Sequence, residues 1–450
     1  DSKAPRERMA GLMDLLGTSR LLLLWDGLEM DRGGRISDPY LSQFYLMMIR
    51  GLGAGRAIIT SSSLPSEAVT LPARAWQWKT EGLSQGAFVR RLLYMPAVAD
   101  RYRKGEISFA ALAENHRIAS GLPLRLDQTA RALSLDDMAA GEEPLAALTC
   151  RLERDSLNAL CRASVYNIAV SPTGIAAACG LTIEQAESSA RSWQALSLAH
   201  SSGELWTVPS ALRPGLVSRL PGEEIQSAHR EAAGFLKSLA EAGHSGELGL
   251  SRLDVLLEAR GHYMAAEDWQ AAAATTGRIS SYLRRRGHYE EIIRLNRELL
   301  APESHSLSGP AAWMGQAYLD QEDFKKAGQW YERAVQISPE PANYHGLGLS
   351  LMHQERYDQA KESLQKASDA YNEAGDLSGQ AAVLSSLAAI DMKKGDTGAA
   401  LEKMERIAGI MGQLGDLPGQ AQALQETARL EMMASNFDSA RQRLNRSLEL

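Results

Sequence analysis

Apolar residues fall along this chain in two rhythms: short unbroken runs near the start, and helical spacing after them. Leu21-Leu22-Leu23-Leu24-Trp25 runs without polar alternation into Asp26-Gly27-Leu28-Glu29. Such a run suits a strand buried on both faces, as in a parallel sheet covered by helices. Before it, Arg6 to Gly17 reads as a helix with Met9, Leu12, Met13, Leu15 and Leu16 on one side. After it come a polar loop, Asp31 to Arg35, a helix from about Pro39 to Arg50, and the strand Arg56-Ala57-Ile58-Ile59-Thr60. The order predicts one right-handed crossover unit of a parallel sheet. Asp26 then ends one strand and the hydroxyls Thr60, Ser61, Ser62 and Ser63 tip the other, where open α/β sheets bind ligands. Gly51-Leu52-Gly53-Ala54-Gly55 is not a dinucleotide loop, because that fingerprint follows a strand and opens a helix, the reverse of its setting here.

From Leu83 to Leu135 the spacing is helical, interrupted at Gly121-Leu122-Pro123-Leu124, where Pro is tolerated in a first helical turn. Leu148 to about Leu220 reads as three helices, the third over Ile183 to Leu198, followed by strand–turn–strand with Glu204 to Val208 as one strand. That is the order of a winged helix. Its third helix carries Glu184, Glu187 and a single Arg191, too acidic for a recognition helix in the major groove. A packing or switch role is expected instead.

The remaining half is helical and repeats. Gly375-Asp376-Leu377-Ser378-Gly379-Gln380-Ala381 returns forty positions later as Gly415-Asp416-Leu417-Pro418-Gly419-Gln420-Ala421, and Ala388 and Ala400 return as Ala428 and Ala440. Upstream, Gly315, Tyr318, Ala327, Tyr331, Ala334 and Pro339 follow the tetratricopeptide (TPR) pattern, and Gly348, Ala360 and Ala367 echo it 33 positions on. Helix pairs of this kind cannot bury their apolar faces alone and must stack into a solenoid. Gly261-His262-Tyr263 and Arg286-Gly287-His288-Tyr289 look like degenerate repeats, with both histidines expected in solvated turns between helices.

Composition narrows the function. At 450 residues, 44% hydrophobic and 23% charged, the chain is ordinary soluble protein of several domains. A net charge of −7 argues against a nucleic-acid surface, which needs clustered Lys and Arg. Cys150, Cys161 and Cys179 lack CxxC spacing and fit a reducing, cytoplasmic setting. No apolar run approaches the ~20 residues needed to span a membrane. No GxSxG elbow or evident Cys–His partnership suggests a hydrolase.

Leu22-Leu23-Leu24-Trp25-Asp26-Gly27-Leu28-Glu29, Ala57-Ile58-Ile59-Thr60-Ser61-Ser62 and Gly121-Leu122-Pro123-Leu124, in this order, resemble the STAND class of signalling NTPases with NB-ARC or NACHT modules. The resemblance implies a mostly α chain. An α/β nucleotide-binding fragment would occupy 1–82, a helical subdomain 83–140, a winged helix 141–222, degenerate helical repeats 223–305 and a TPR solenoid 306–450. It further implies ATP or ADP with Mg²⁺ as ligand. Asp26 would be the Walker B acid holding the metal, and Glu29 the catalytic acid polarising water. Thr60, Ser61 and Ser62 would form the sensor strand end near the γ-phosphate, with Gly121 and Pro123 beside the nucleotide.

Two departures follow. The family's sensor strand usually ends in Arg, where this chain has Ser62. The 450 residues hold no GxxxxGK[ST] phosphate loop, which in the family lies well before the Walker B strand and would here precede Asp1. The chain as given is therefore not expected to hydrolyse ATP efficiently. The expected partners are a protein or peptide trigger on the concave TPR surface and further copies of the chain in a homo-oligomer. A scaffold with a degenerate NTPase module and a winged-helix transcription regulator are the alternatives.

Overall fold

The computed structural model describes residues 5–19, 22–28, 36, 39–50, 56–61, 83–119, 123–134, 144–301 and 307–450. The chain forms two compact units, Asp1–Leu152 and Glu153–Leu450.

The first unit opens with α1 (Pro5–Thr18), β1 (Leu22–Leu28), α2 (Pro39–Arg50) and β2 (Arg56–Ser61). The strands pair in parallel with α2 as their crossover, as the two apolar runs predict. Leu16, Phe44, Tyr45 and Met48 are buried together, with Met13, Leu23, Ala57 and Ile59 packed on them. Of the apolar side expected on α1, Leu12 and Leu15 stay exposed. The unit continues through α3 (Gln85–Leu93), α4 (Pro96–Arg103), α5 (Phe109–Ala119), α6 (Pro123–Ser134) and α7 (Pro144–Thr149). Phe88, Leu92 and Leu112 are sealed here, each contributing about 1.5–3 kcal/mol by leaving water.

The second unit begins with α8 (Arg154–Ala163), α9 (Pro172–Cys179), α10 (Ile183–Ala195), and the hairpin β3 (His200–Ser202) and β4 (Leu205–Thr207). Gly203 at φ 63° makes the turn, and Val170 exchanges two backbone hydrogen bonds with Trp206. A full capping box, Thr182 with Gln185, starts α10. Its buried Trp193 donates Nε1–H to the Ser156 hydroxyl at 3.1 Å. After α11 (Arg213–Val217) the long α12 (Gly222–Ala242) packs on α9, where Gly174 leaves room for the Phe235 ring.

Stacked helices follow: α13 (Arg252–Ala265), α14 (Trp269–Arg284), α15 (Tyr289–Leu300), α16 (Ser308–Asp320), α17 (Phe324–Ile337) and α18 (Pro341–His353). Then come α19 (Tyr357–Ala374), α20 (Leu377–Lys394), α21 (Thr397–Leu414), α22 (Leu417–Met433) and α23 (Phe437–Glu449). The molecule is thus mostly α, ending in a TPR-type solenoid. Small residues sit where helices cross. The buried Tyr331 ring of α17 is wedged between Gly315 of α16 and Gly346 of α18, and a Cβ at either glycine would overlap it. The forty-residue echo marks a joint. Gly375 and Gly415 end α19 and α21 in the left-handed region, and Asp376 and Asp416 cap the next helices by accepting from the backbone N–H of Gly379 and Gly419. A side chain at Gly379 would overlap the Tyr371 ring.

One expectation needs correcting. His262 is not in a solvated turn: it lies within α13 at 2% exposure, and the chain turns five residues later at Glu267-Asp268. His288 does stand in a turn, at the N-cap of α15.

Candidate functional site

The first candidate site is the carboxyl end of the β1–β2 pair. Leu22 to Trp25 pair in register with Arg56 to Ile59, and pairing resumes at Leu28 with Ser61. Between these points β1 spends Asp26 and Gly27 against the single Thr60, a β-bulge at the tip of the strand. The register thereby brings the backbones of Asp26, Thr60 and Ser61 to one sheet edge. Pro123 is the first residue of α6, as its place before Leu124 predicts. Glu29, Ser62 and Gly121 lie outside the described residues. In the helices that follow, Asn115 of α5 and Gln128 of α6 are sealed from solvent, and among the described residues both Asn115 amide atoms and the Gln128 nitrogen lack hydrogen-bond partners. Nothing in the sequence marked these two.

A second polar cluster joins the three-helix module to the solenoid. His229 of α12 and His262 of α13 meet Nδ1 to Nδ1 at 2.8 Å, so one ring donates and the other accepts. Tyr166 stands edge-on to His262 at 5.6 Å and donates its hydroxyl to the Gly174 carbonyl. Burial, then the neighbouring His229, push the His262 pKa down to about 3, and burial lowers His229 too. Nearby Glu231 is paired with Arg162 at 3.2 Å. Burial raises the Cys161 thiol and pushes Cys179 up to about 12, so neither is an activated nucleophile. No group of three or more metal-ligating side chains occurs among the described residues.

The third candidate lies in the solenoid. Ser378, Ala382 and Ser385, at i, i+4 and i+7 of α20, form one wall of a cleft of about 440 Å³. Gly419, Gln422 and Glu426 of α22 form the other, and Met404, Ile407 and Met411 of α21 the floor. Asp416 and Glu426 are its only charged lining residues. Deeper in the same helices, Asp391 of α20, 1% exposed, receives Lys361 Nζ at 2.6 Å and Lys403 Nζ at 2.7 Å. Burial opposes its charge, but the two lysine hydrogen bonds outweigh burial and hold the carboxyl below its usual range. Asp391 escaped notice in the sequence although its signal was present, an acid in the apolar run Ala388 to Met392.

The tetratricopeptide repeat family matches residues 312–341 and 342–373. The solenoid carries TPR repeats. No curated protein matches the chain. Among solved structures, it is similar to a STAND protein with a tetratricopeptide repeat sensor from Pyrococcus horikoshii. That likeness is 14% identical, covers 98% of this chain and 69% of that one, and has a TM-score of 0.41. MamA from Desulfovibrio magneticus RS-1 is 18% identical over 40% of this chain and 94% of that one, at 0.33. BtubC from P. vanneervenii is 16% identical over 51% and 91%, also at 0.33. These likenesses are too distant to assign a role. No described helix is long and apolar enough to cross a membrane.

Proposed function

We propose that this chain belongs to a nucleotide-regulated signalling protein of the STAND type, in which the TPR solenoid is the sensor for a protein or peptide trigger. The observation that supports it best is the bulged tip of β1 against β2. An acid sits in the bulge near the carboxyl end of one parallel strand, beside the hydroxyl-bearing end of its neighbour, with a TPR array later in the same chain. Asp26 is the residue suited to hold Mg²⁺, with Thr60 and Ser61 beside it and Pro123 opening the helix that follows the Gly-Leu break. Bound Mg²⁺–ATP would supply the cation that such an acid holds. Glu29, Ser62 and Gly121 complete the proposed set.

The three helices and hairpin of 154–207, with Val170 adding a third strand bridge, support a winged helix between nucleotide module and sensor. The exposed Glu184 and Arg191, with Glu187 tied to Arg191, leave α10 no cationic excess for DNA. Such a protein would switch between ADP- and ATP-bound states and assemble into oligomers when triggered.

Nucleotide retained by the purified full-length protein tests the reading. Protein denatured and analysed by chromatography should release ADP or ATP, and Asp26→Ala should abolish the Mg²⁺-dependent share. Nucleotide-free protein, unaffected by Asp26→Ala, would leave a TPR scaffold with a degenerate module.

A further inference from the structure

We infer that the cleft between α20 and α22 takes a bulky apolar side chain of a partner segment that carries Lys or Arg next to it. This rests on the sensor reading above and names what the sensor reads. The floor of Met404, Ile407 and Met411 is apolar, and two of these are thioethers that adapt to the side chain they meet. The α20 wall is kept low by Ser378, Ala382 and Ser385, each exposed, where α22 carries the longer Gln422 and Glu426. That asymmetry opens a volume of about 440 Å³, enough for one or two large side chains, within the range of small ligand sites.

Charge selects the neighbour of that anchor. The lining holds Asp416 and Glu426 and no Lys, Arg or His. Asp416 uses one carboxylate oxygen on the Gly419 N–H, and Glu426 pairs with Arg429 through one of its oxygens, so each keeps an oxygen for a cation. An acidic segment would face both carboxylates, and the Arg429 guanidinium is already engaged by Glu426. A cationic-apolar segment satisfies both floor and rim.

A random 12-residue peptide library displayed on phage, panned against the full chain, decides it. The expected enrichment is a large apolar residue beside Lys or Arg, with affinity falling about tenfold for Glu426→Lys and for Ser385→Trp, which fills the cleft from an exposed position. Circular dichroism of both variants checks that the solenoid is intact, and Ser385→Ala, which leaves the cleft open, should bind as the parent. Enriched peptides that are acidic, or that bind both variants as well as the parent, overturn the cleft and its chemistry while the sensor reading stands. No enrichment at all overturns both.

Discussion

His262 in α13 and Asp391 in α20 are both titratable and both sealed within stacked helices, at 2% and 1% exposure. Asp391 receives two ammonium groups from the helices on either side of it in sequence, α19 and α21. Among the described residues, His262 meets a second imidazole and the edge of Tyr166, and its Nε2 has no hydrogen-bond partner. Equal burial therefore has opposite electrostatic results. Asp391 keeps its charge; the histidines are held neutral. The difference lies in what the neighbours donate, because burial alone penalises any charged form.

On acidification the two clusters give way in order. The folded His262 pKa is about 3 against an ordinary 6.5, so the unfolded chain takes up protons first and stability falls as pH drops from 6.5 towards 3. The Asp391 carboxyl sits below 3.8 when folded, so its contribution is present above that value and is lost only in stronger acid.

The largest expected effect is for Asp391→Ala. Removing the shared carboxylate leaves Lys361 and Lys403 without their counter-charge and should cost about 3 kcal/mol at pH 7, read from urea unfolding. A loss below about 1 kcal/mol would mean that solvent already screens the lysines. Next is the slope of stability between pH 7 and pH 4. The parent should lose on the order of 2–3 kcal/mol that His262→Phe does not lose, and parallel curves would show that the imidazole pair does not titrate as placed. The smallest effect is for the triple replacement Asp391→Leu, Lys361→Met and Lys403→Met. It should fall within about 1 kcal/mol of the parent, because an apolar substitute escapes the desolvation that the ion cluster bears. A triple as unstable as Asp391→Ala would show that the cluster is worth more than packing.

The solenoid was legible in the sequence because its constraints repeat. Tyr331 needs small residues on both sides, so Gly315 and Gly346 are fixed by contact, and a left-handed turn followed by an N-cap writes Gly-Asp at 375–376 and 415–416. His262 was misread because Gly261-His262-Tyr263 matches Gly287-His288-Tyr289 letter for letter, yet only Gly287 is left-handed. The true turn uses Glu267, a non-glycine residue at φ 56° that carries no compositional mark. The parallel pairing of β1 and β2 was readable from two apolar runs, but the bulge was not: it depends on where the partner strand resumes pairing, a fact absent from either strand alone. Asp391, Lys361 and Lys403 lie on three different helices, and only packing reveals that they meet.

The joints at Gly375-Asp376 and Gly415-Asp416 are chemically the same junction, and that gives the solenoid a property of its own. Deleting residues 376–415 would seat Asp416 directly after Gly375, restoring the cap, and would bring Gly419 to Tyr371 in place of Gly379. Duplicating the same stretch would insert a helix pair whose two ends already match. Array length is therefore a matter of copy number: recombination within a gene can lengthen or shorten the recognition surface by whole helix pairs without inventing a new interface.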